Sequence, residues 1–275
     1  NDSLMRRTLL GSAPQGQLQL TVHAVPRFAK DKRGAVSVTV RADAAGGITS
    51  PLDVVFATFD DEGQATNQHQ VRLEPPAAGV PLEFTTDLPI SRGRHQLRVA
   101  AVTADATKTG LVITPVEVTE PGRPLVMAPP LVLQEVAGQV LPTAARRFLI
   151  GASLGVQAEV GGRPVQDGKV AVTLQVSESS GAVVKTMAAA LDAADAPDRQ
   201  RATALIDMAG LAPGTYLLTL EATAERRDSA VRRAIPIRLE AGPPPTMSGV
   251  VRHSVVAHGP SSKHRAAGTF VIRDE

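Results

Sequence analysis

The sequence predicts an all-β fold built from two tandem antiparallel β-sandwiches, and three observations support this. Residues 93–103 (GRHQLRVAAVT) place apolar side chains at alternate positions after a glycine, and residues 214–224 (GTYLLTLEATA) repeat the pattern. A period of two is typical of a strand with one buried and one solvated face. The repeat distance of about 120 residues indicates duplication of a whole domain rather than a solenoid. Aromatic residues make up only 3% of the chain, which suits thin layers of branched side chains.

The first half of the chain contains seven strand-like segments separated by turn signals. Leucine or valine alternates with polar residues in the first two, and the third is a dense apolar run typical of a central strand. Charged, Gly/Pro-rich and acidic stretches at 27–34, 44–51 and 60–63 favour turns between them. This spacing is typical of immunoglobulin- or fibronectin-III-like sandwiches. The predicted strands are 18–24, 36–40, 54–59, 70–73, 80–84, 95–102 and 110–118.

The second half repeats these landmarks. Residues 179–181 (SSG) follow a dense apolar strand, as residues 61–63 (DEG) do in the first half. Residues 186–194 (TMAAALDAA) have helical propensity, but Pro197 limits any helix to a turn or two. A strand followed by a loop is therefore favoured over a helix there. The predicted strands are 148–160, 170–176, 183–188, 201–208, 216–224 and 231–239.

These segments predict five regions along the chain. Prolines between 119 and 147 oppose a continuous helix and favour a semi-rigid connection. Within it, residues 131–133 are expected to pair at the edge of the second sandwich. The tail is expected either to add a strand to a sandwich or to reach a partner. The predicted regions are a lead-in (1–15), a first sandwich (16–120), a Pro-rich connector (121–147), a second sandwich (148–240) and a basic tail (241–275).

Composition narrows the function classes. The 275 residues are 43% apolar and 20% charged, as in globular proteins. The net charge of +2, from 29 basic and 27 acidic side chains, is too even for a nucleic-acid-binding surface. The lack of cysteine excludes disulfides, thiolate metal sites and cysteine nucleophiles. We expect no transmembrane segment, because no long apolar run occurs. The first residues lack an export signal, so we expect the sequence to begin inside a longer or processed product.

One serine motif is a candidate catalytic site. Residues 151–155 (GASLG) fit the G-x-S-x-G pattern of the hydrolase nucleophile elbow, with Ser153 as the nucleophile. The elbow requires a helix after the serine, whereas the following residues, VQAEV, read as a strand. The sequence therefore predicts no catalytic residue and no enzyme. An esterase acting through Ser153 is the third and least favoured hypothesis.

Three polar clusters are candidate metal sites. Zinc-binding helices use histidines at i and i+4, which the tail histidines do not match. EF-hand loops need a glycine at the sharp turn and a closing glutamate, which the aspartates of 192–198 lack. The sequence predicts no metal ligand and no cofactor, although a calcium ion at a sheet edge stays open. The clusters are His253, His258 and His264; Asp192, Asp195 and Asp198; and Asp60, Asp61 and Glu62.

A late strand of each sandwich begins with a residue suited to pinning a corner. Tyr216 follows Gly214 by two residues, as in the tyrosine corner of Greek-key sandwiches, where the phenol bonds to nearby backbone. His95 takes the same place after Gly93. We expect it to donate an equivalent hydrogen bond.

The two halves together resemble the C-terminal tandem β-sandwich region of the bacterial, acidobacterial-type VWFA-related proteins, which follows a von Willebrand factor A domain. The resemblance covers about residues 15–240. It implies an exported, non-catalytic protein that binds other proteins. The residues that match are 93–100 (GRHQLRVA), 109–110, 116–118 (VEV), 131–133 (LVL), 148, 158–160 (AEV) and 210–218 (GLAPGTYLL).

One feature of that family is missing from this sequence. The A domain binds Mg²⁺ through a D-x-S-x-S motif, and neither the motif nor the parallel α/β pattern around it occurs here. Metal-dependent adhesion is therefore not transferred to these residues.

The sequence thus predicts a structural, protein-interaction subunit of an extracytoplasmic assembly in the periplasm, at the cell surface or secreted. Its expected partners are other protein subunits, bound through sandwich surfaces, strand edges and the tail. A small-molecule ligand is not expected, nor is a nucleic acid. The alternative is a carbohydrate- or other ligand-binding accessory module, against which the shortage of Trp and Tyr argues.

Overall fold

A computed structural model describes residues 2–11, 17–30, 33–75, 82–122, 124–136, 138–168, 170–224, 227–242 and 252–255. The prediction of an all-β fold is confirmed, since two short helices are the only helical elements in these ranges. In chain order the elements are α1 (Asp2–Leu9), β1 (Leu18–Pro26), β2 (Arg33–Ala44), β3 (Leu52–Phe59), β4 (Ala65–Leu73), β5 (Leu82–Ser91), β6 (Gly93–Thr103), β7 (Thr109–Val118), β8 (Val126–Met127), β9 (Leu131–Val136), β10 (Gln139–Pro142), β11 (Arg147–Leu149), β12 (Ser153–Gly161), α2 (Arg163–Gln166), β13 (Val170–Glu178), β14 (Val183–Ala188), β15 (Ala190–Ala193), β16 (Arg199–Asp207), β17 (Gly214–Ala224), β18 (Arg227–Glu240) and β19 (Arg252–Val255).

The strands form four sheets. The first sheet has the order β1-β2-β5-β19 and the second has β4-β3-β6-β7. The third has β10-β9-β12-β16-β15, with β8 also pairing with β12, and the fourth has β11-β18-β17-β13-β14. The fourth sheet repeats the order of the second, with β3, β4, β6 and β7 corresponding to β13, β14, β17 and β18, and has β11 as an additional strand beside β18. The repeat in the sequence is therefore a repeat of topology.

The sheets enclose two separate core clusters. The first and second sheets share a core that contains Phe56, Phe84 and Leu97, and the third and fourth share one that contains Leu174, Leu218 and Met208. Alternate residues of β6 and β17 enter these cores, as the period of two predicts. Both cores consist mostly of Val, Leu, Ile and Ala, which pack well on a pleated surface.

The lead-in forms a helix that covers the outer face of the second sheet. Met5 and Leu9 of α1 pack on Val55 and Phe59 of β3 in a small third cluster. Arg98 supports the helix end, because its guanidinium donates to the Leu9 carbonyl at 3.3 Å and lies 4.5 Å from the Phe59 ring centroid. The sequence predicts only a polar lead-in at residues 1–15, because eight residues give too little periodicity to reveal an amphipathic helix.

Two strand pairings correct the prediction of purely antiparallel sandwiches. β11 runs parallel to β18, and β19 runs parallel to β5. Each pairing joins segments far apart in the sequence, and parallel pairs need long connections. Alternation within one segment carries no information about such a distant partner.

The connector region contributes strands to the third sheet. β9 pairs with β12 over residues 131–134, so the predicted pairing of residues 131–133 with the second sandwich is confirmed. Gly138 adopts a left-handed φ of 77°, which lets residues 139–142 fold back as a hairpin and add β10 beside residues 133–136. The region boundaries at 15, 120, 147 and 240 stay predictions.

The predicted strand at 183–188 is confirmed as β14, and the stretch with helical propensity contains no helix. The loop predicted after this strand is wrong, because residues 190–193 form the short strand β15. In the tail, β19 is an added strand beside β5. The remaining tail residues, including the predicted run at 269–272, lie outside the described residues, as do residues 80–81 of the fifth predicted strand.

Candidate functional site

The first and third sheets meet through the faces that point away from their cores. Because alternate residues of β5 enter the first core, Glu83, Thr85 and Asp87 lie on the opposite face. The same alternation in β12 places Gln157 and Glu159 outward. Residues from both faces line one cleft, and we call this contact region the junction. Its central residues are Phe28, Glu83, Thr143, Glu159 and Arg199.

Glu83 is a buried carboxylate that bonds to the chain beside β9. It is only 1% exposed. Its Oε1 accepts a hydrogen bond from the Thr143 hydroxyl at 2.8 Å and another from the Ala144 N–H at 2.6 Å. The Thr143 oxygen accepts in turn from the Ala145 N–H at 3.0 Å. Burying a charge is costly unless it is hydrogen-bonded, so these donors stabilise the carboxylate where the two sheet pairs meet.

Arg199 makes the reciprocal contact, from the second sheet pair to the first. Its side chain is 6% exposed, and it donates to the Phe28 carbonyl at 2.8 Å and to the Ala29 carbonyl. The Phe28 N–H donates to Glu159 Oε2 at 2.8 Å. The loop after β1 therefore has three backbone groups bonded to charged side chains of the third sheet, and such bonds are stronger than neutral ones.

Apolar contacts close the junction around these polar bonds. Val25 of β1 packs with Leu131 and Leu133 of β9 in a separate buried cluster. Where the Phe28 loop crosses β12, a Cβ on Gly161 would lie 2.6 Å from Pro121 Cβ and 3.1 Å from Phe28 Cε2. Only glycine allows this close approach without displacing its neighbours.

His23 and Arg146 add titratable groups to the same region. Burial, together with the nearby positive charge of Arg146, lowers the pKa of His23 to about 4. The Nδ1 atom of His23 is buried without a hydrogen-bond partner. Burial also lowers the pKa of Arg146, and the charge of Glu83 opposes that change. Histidine at this position is therefore neutral at physiological pH.

We predict that His23 makes the fold less stable in mild acid. A histidine whose pKa is lower in the folded state contributes full stability above its unfolded pKa of about 6.5 and loses it as the pH falls towards 4. Between pH 7.5 and 5, the free energy of unfolding should fall by about 2 kcal/mol from this group. Urea titrations of wild type and His23→Gln at both pH values measure the difference. An equal pH dependence of the two proteins would contradict the prediction.

A cavity of about 180 Å³ lies in the junction. Of its four charged lining residues, Arg27 and Asp87 form an ion pair at 3.1 Å and Glu159 is bonded to the Phe28 N–H. The Ser37 hydroxyl also donates to Asp87, at 2.5 Å. The described lining residues include no histidine to serve as a general base beside a hydroxyl. The polar groups of the cleft therefore mainly bond to one another and to backbone.

Both predicted corner bonds are present. The Tyr216 hydroxyl donates to the Ala212 carbonyl at 2.9 Å, four residues earlier in the chain. His95 Nε2 lies 3.0 Å from the Ser91 carbonyl, also four residues earlier. The same bond in both sheet pairs shows that Tyr216 and His95 are structurally equivalent.

We predict that Tyr216→Phe lowers the free energy of unfolding by about 1 kcal/mol. The change removes the hydroxyl that bonds the Ala212 carbonyl and leaves the buried ring in place. Urea unfolding followed by far-UV circular dichroism measures the effect. The matched control is Thr215→Val at the preceding position, where we expect a change of at most about 0.5 kcal/mol.

Ser153, the serine of the G-x-S-x-G match, lies at the start of β12. The residues that follow it continue as strand to Gly161, and the serine pairs in register with Asp207 of β16. The helix that a nucleophile elbow requires is therefore replaced by strand.

The structure does not bring the predicted polar clusters together as ligand sets. Asp60 Oδ1 accepts from the backbone N–H groups of Glu62 and Gln64, as in a turn cap. Asp198 lies 3.6 Å from Arg199 Nε, whereas Asp192 belongs to β15. Of the tail histidines, His253 is in β19, and the other two, 258 and 264, lie outside the described residues. Within the described ranges, no group of three or more His, Asp or Glu side chains is arranged to hold a metal ion.

The sequence alone does not reveal the junction residues. Glu83 and Glu159 stand at polar positions of alternating strands, where a solvated side chain is the usual expectation. Two features of the sequence agree with burial of these side chains once the structure is known. Glu83 is a single charge in the apolar segment LEF, and Arg199 stands directly before the strand residues that enter the core.

No protein-family model matches the chain, and no curated protein matches it. No described helix has the length and apolarity needed to cross a bilayer.

Several solved structures match at low similarity. A fragment of the ICAM-5 ectodomain, D1–D4, is 14% identical with a TM-score of 0.31, and the match covers 80% of this chain and 53% of that one. Dimeric latent PorU from Porphyromonas gingivalis is 14% identical with a TM-score of 0.29, covering 85% and 25%. A candidate beta-galactosidase from Bacteroides fragilis is 14% identical with a TM-score of 0.31, covering 47% and 19%. The chain thus spans about half or less of the length of each.

Proposed function

We propose that this chain is a non-catalytic structural subunit of an extracytoplasmic protein assembly, of the kind found in bacterial VWFA-related proteins. Its two β-sandwich units are held at a fixed angle by the junction, and they present outward surfaces and strand edges to other protein subunits. The resemblance of residues 15–240 to the sandwich region of that family supports the location and the class of partner.

The junction supports this proposal most directly. Clefts between domains are common places for active sites. At this junction, however, Glu83, Glu159 and Arg199 bond to backbone or hydroxyl groups of the opposite sheet pair. Side chains used in this way fix the orientation of two units, which a scaffold requires.

The fourth sheet offers a surface for a partner. Val183 of β14 and Leu217 of β17 lie on either side of Ser177 in one cross-strand row, and Pro236 follows next to Leu217. Val183 is 54% exposed and Leu217 is 38% exposed. β14 is also the edge of this sheet, so its outer backbone groups are available for strand addition.

A cross-linking experiment tests the proposal. The full chain, tagged and expressed in its source cells, is cross-linked and recovered from the extracytoplasmic fraction. We expect a complex with other proteins, and at least about a tenfold loss of those proteins for Val183→Asp/Leu217→Asp, because charges in an apolar contact are costly. Ile113→Asp, on an equally exposed residue of the second sheet, is the control. Recovery of free chain alone, or equal recovery with all variants, would contradict the proposal.

A further inference from the structure

The edge of β5 is covered by a distant part of the same chain. Residues 252–255 form β19 and pair in parallel with residues 83–86, in the register Arg252↔Glu83 through Val255↔Thr86. Without β19, the outer N–H and C=O groups of β5 would face solvent and form an open template for another strand.

In the second sheet pair, the strand that corresponds to β5 is covered by a strand that is close to it in the sequence. β1, β2 and β5 correspond in order to β9, β12 and β16, and the strand beside β16 is β15. β15 ends at Ala193, only six residues before β16 begins, and pairs antiparallel with it. A local strand of this kind closes a small loop. The first sheet instead receives its last strand from the C-terminal tail, about 160 residues after β5 along the chain.

Such a strand can exchange between copies. β19 forms only four residue pairs, so little pairing must be broken to release it. A second copy of the chain carries the same segment and offers the same contacts. Exchange of identical elements between protomers is a low-cost route to dimers. The balance between the two arrangements then depends on protein concentration against the effective concentration of the tail.

We propose that the edge of β5 is a strand-acceptor site, and that its partner is the segment 252–255 of a second copy of this chain. The tail thereby links copies by reciprocal strand exchange. The inference rests on the proposed role in protein association and specifies one surface and one partner. That surface is separate from the Val183–Leu217 row, so the two proposals can fail independently.

Disulfide trapping tests the exchange. Because the chain has no native cysteine, only the introduced thiols can form a disulfide. Thr85 and Ser254 are paired positions, and paired strand residues lie within disulfide range. One chain carries Thr85→Cys and the other Ser254→Cys, and the two are mixed at about 1 mM, near the effective concentration of a short tether. After mild oxidation, we expect at least about ten times more cross-linked heterodimer than with Thr186→Cys, a control thiol on the exposed edge strand β14.

A second measurement does not depend on the cysteine variants. Sedimentation equilibrium of the wild-type chain should show dimer formation that increases with concentration. His253→Pro/Ser254→Pro should abolish it: the N–H groups of adjacent strand residues point to opposite sides, so one of the two prolines removes an N–H that pairs with β5.

Three outcomes would overturn the exchange. The first is an equal heterodimer yield with Thr85→Cys and with Thr186→Cys. The second is a disulfide that forms within a single chain carrying both Thr85→Cys and Ser254→Cys but not between chains that carry one each. The third is a dimer unaffected by the prolines. Any of these leaves the partner experiment on the fourth sheet unchanged.

Discussion

Replacing Glu83 with alanine is expected to lower the free energy of unfolding by about 3–5 kcal/mol. The change leaves the Thr143 hydroxyl and the Ala144 N–H buried without their acceptor. It also removes the negative charge beside Arg146. Unmade hydrogen bonds in a buried site and an uncompensated charge are among the costliest results of a single substitution.

The effect should appear first as a loss of coupling between the two sheet pairs. The chain has one tyrosine, Tyr216, and no tryptophan, so intrinsic fluorescence reports the second core alone, whereas far-UV circular dichroism reports both. In wild type, we expect both signals to change at the same urea concentration. In Glu83→Ala, we expect two midpoints, because one of the main contacts between the two sheet pairs is lost and their unfolding becomes less tightly coupled.

Two further variants separate the contribution of the Glu83 charge from that of its hydrogen-bonding oxygen and provide a surface control. Glu83→Gln keeps an oxygen acceptor for Thr143 and Ala144 but removes the charge, so we expect a loss of about 1–2 kcal/mol. Glu117→Ala is the control on the surface: its side chain is 57% exposed and pairs with Arg94 at 3.6 Å, so we expect at most about 0.5 kcal/mol. If Glu83→Ala and Glu117→Ala had the same stability, Glu83 would not hold the junction.

The layered fold was predictable because each strand carries its own signal. Alternation in β6 and β17 reflects a local geometric fact, that successive side chains leave a strand on opposite faces. The corner bonds of Tyr216 and His95 were predictable for a similar reason, since donor and acceptor lie four residues apart.

The junction was not predictable, because its contacts join residues far apart in the sequence. Glu83 and Thr143 are 60 residues apart, and Arg199 and Phe28 are 171 apart. A polar residue at the outer position of a strand has the same pattern whether water or another sheet covers it. What separates the two cases is the packing of the units, which no single segment encodes.

Arg199→Ala is expected to lower the free energy of unfolding by about 3 kcal/mol. The guanidinium is the donor for the buried carbonyls of Phe28 and Ala29, and alanine supplies neither bond. Arg199→Lys should recover about half of the loss, because an ammonium group lacks the planar fork that reaches two acceptors at once. Urea titration of the three proteins gives these differences directly.

The same variants test whether Arg199 fixes the angle between the units. Cysteines at the exposed positions Glu62 and Ser180, in equivalent turns of the two sheet pairs, carry spin labels on the cysteine-free chain. Pulsed dipolar spectroscopy should give one narrow distance distribution for wild type and a broader one for Arg199→Ala, with Arg199→Lys between them. Because a loosened junction frees the loop at Phe28, broadening should accompany the loss of stability. An unchanged distribution with a 3 kcal/mol loss would assign Arg199 to stability alone and remove it from the mechanism that orients the units.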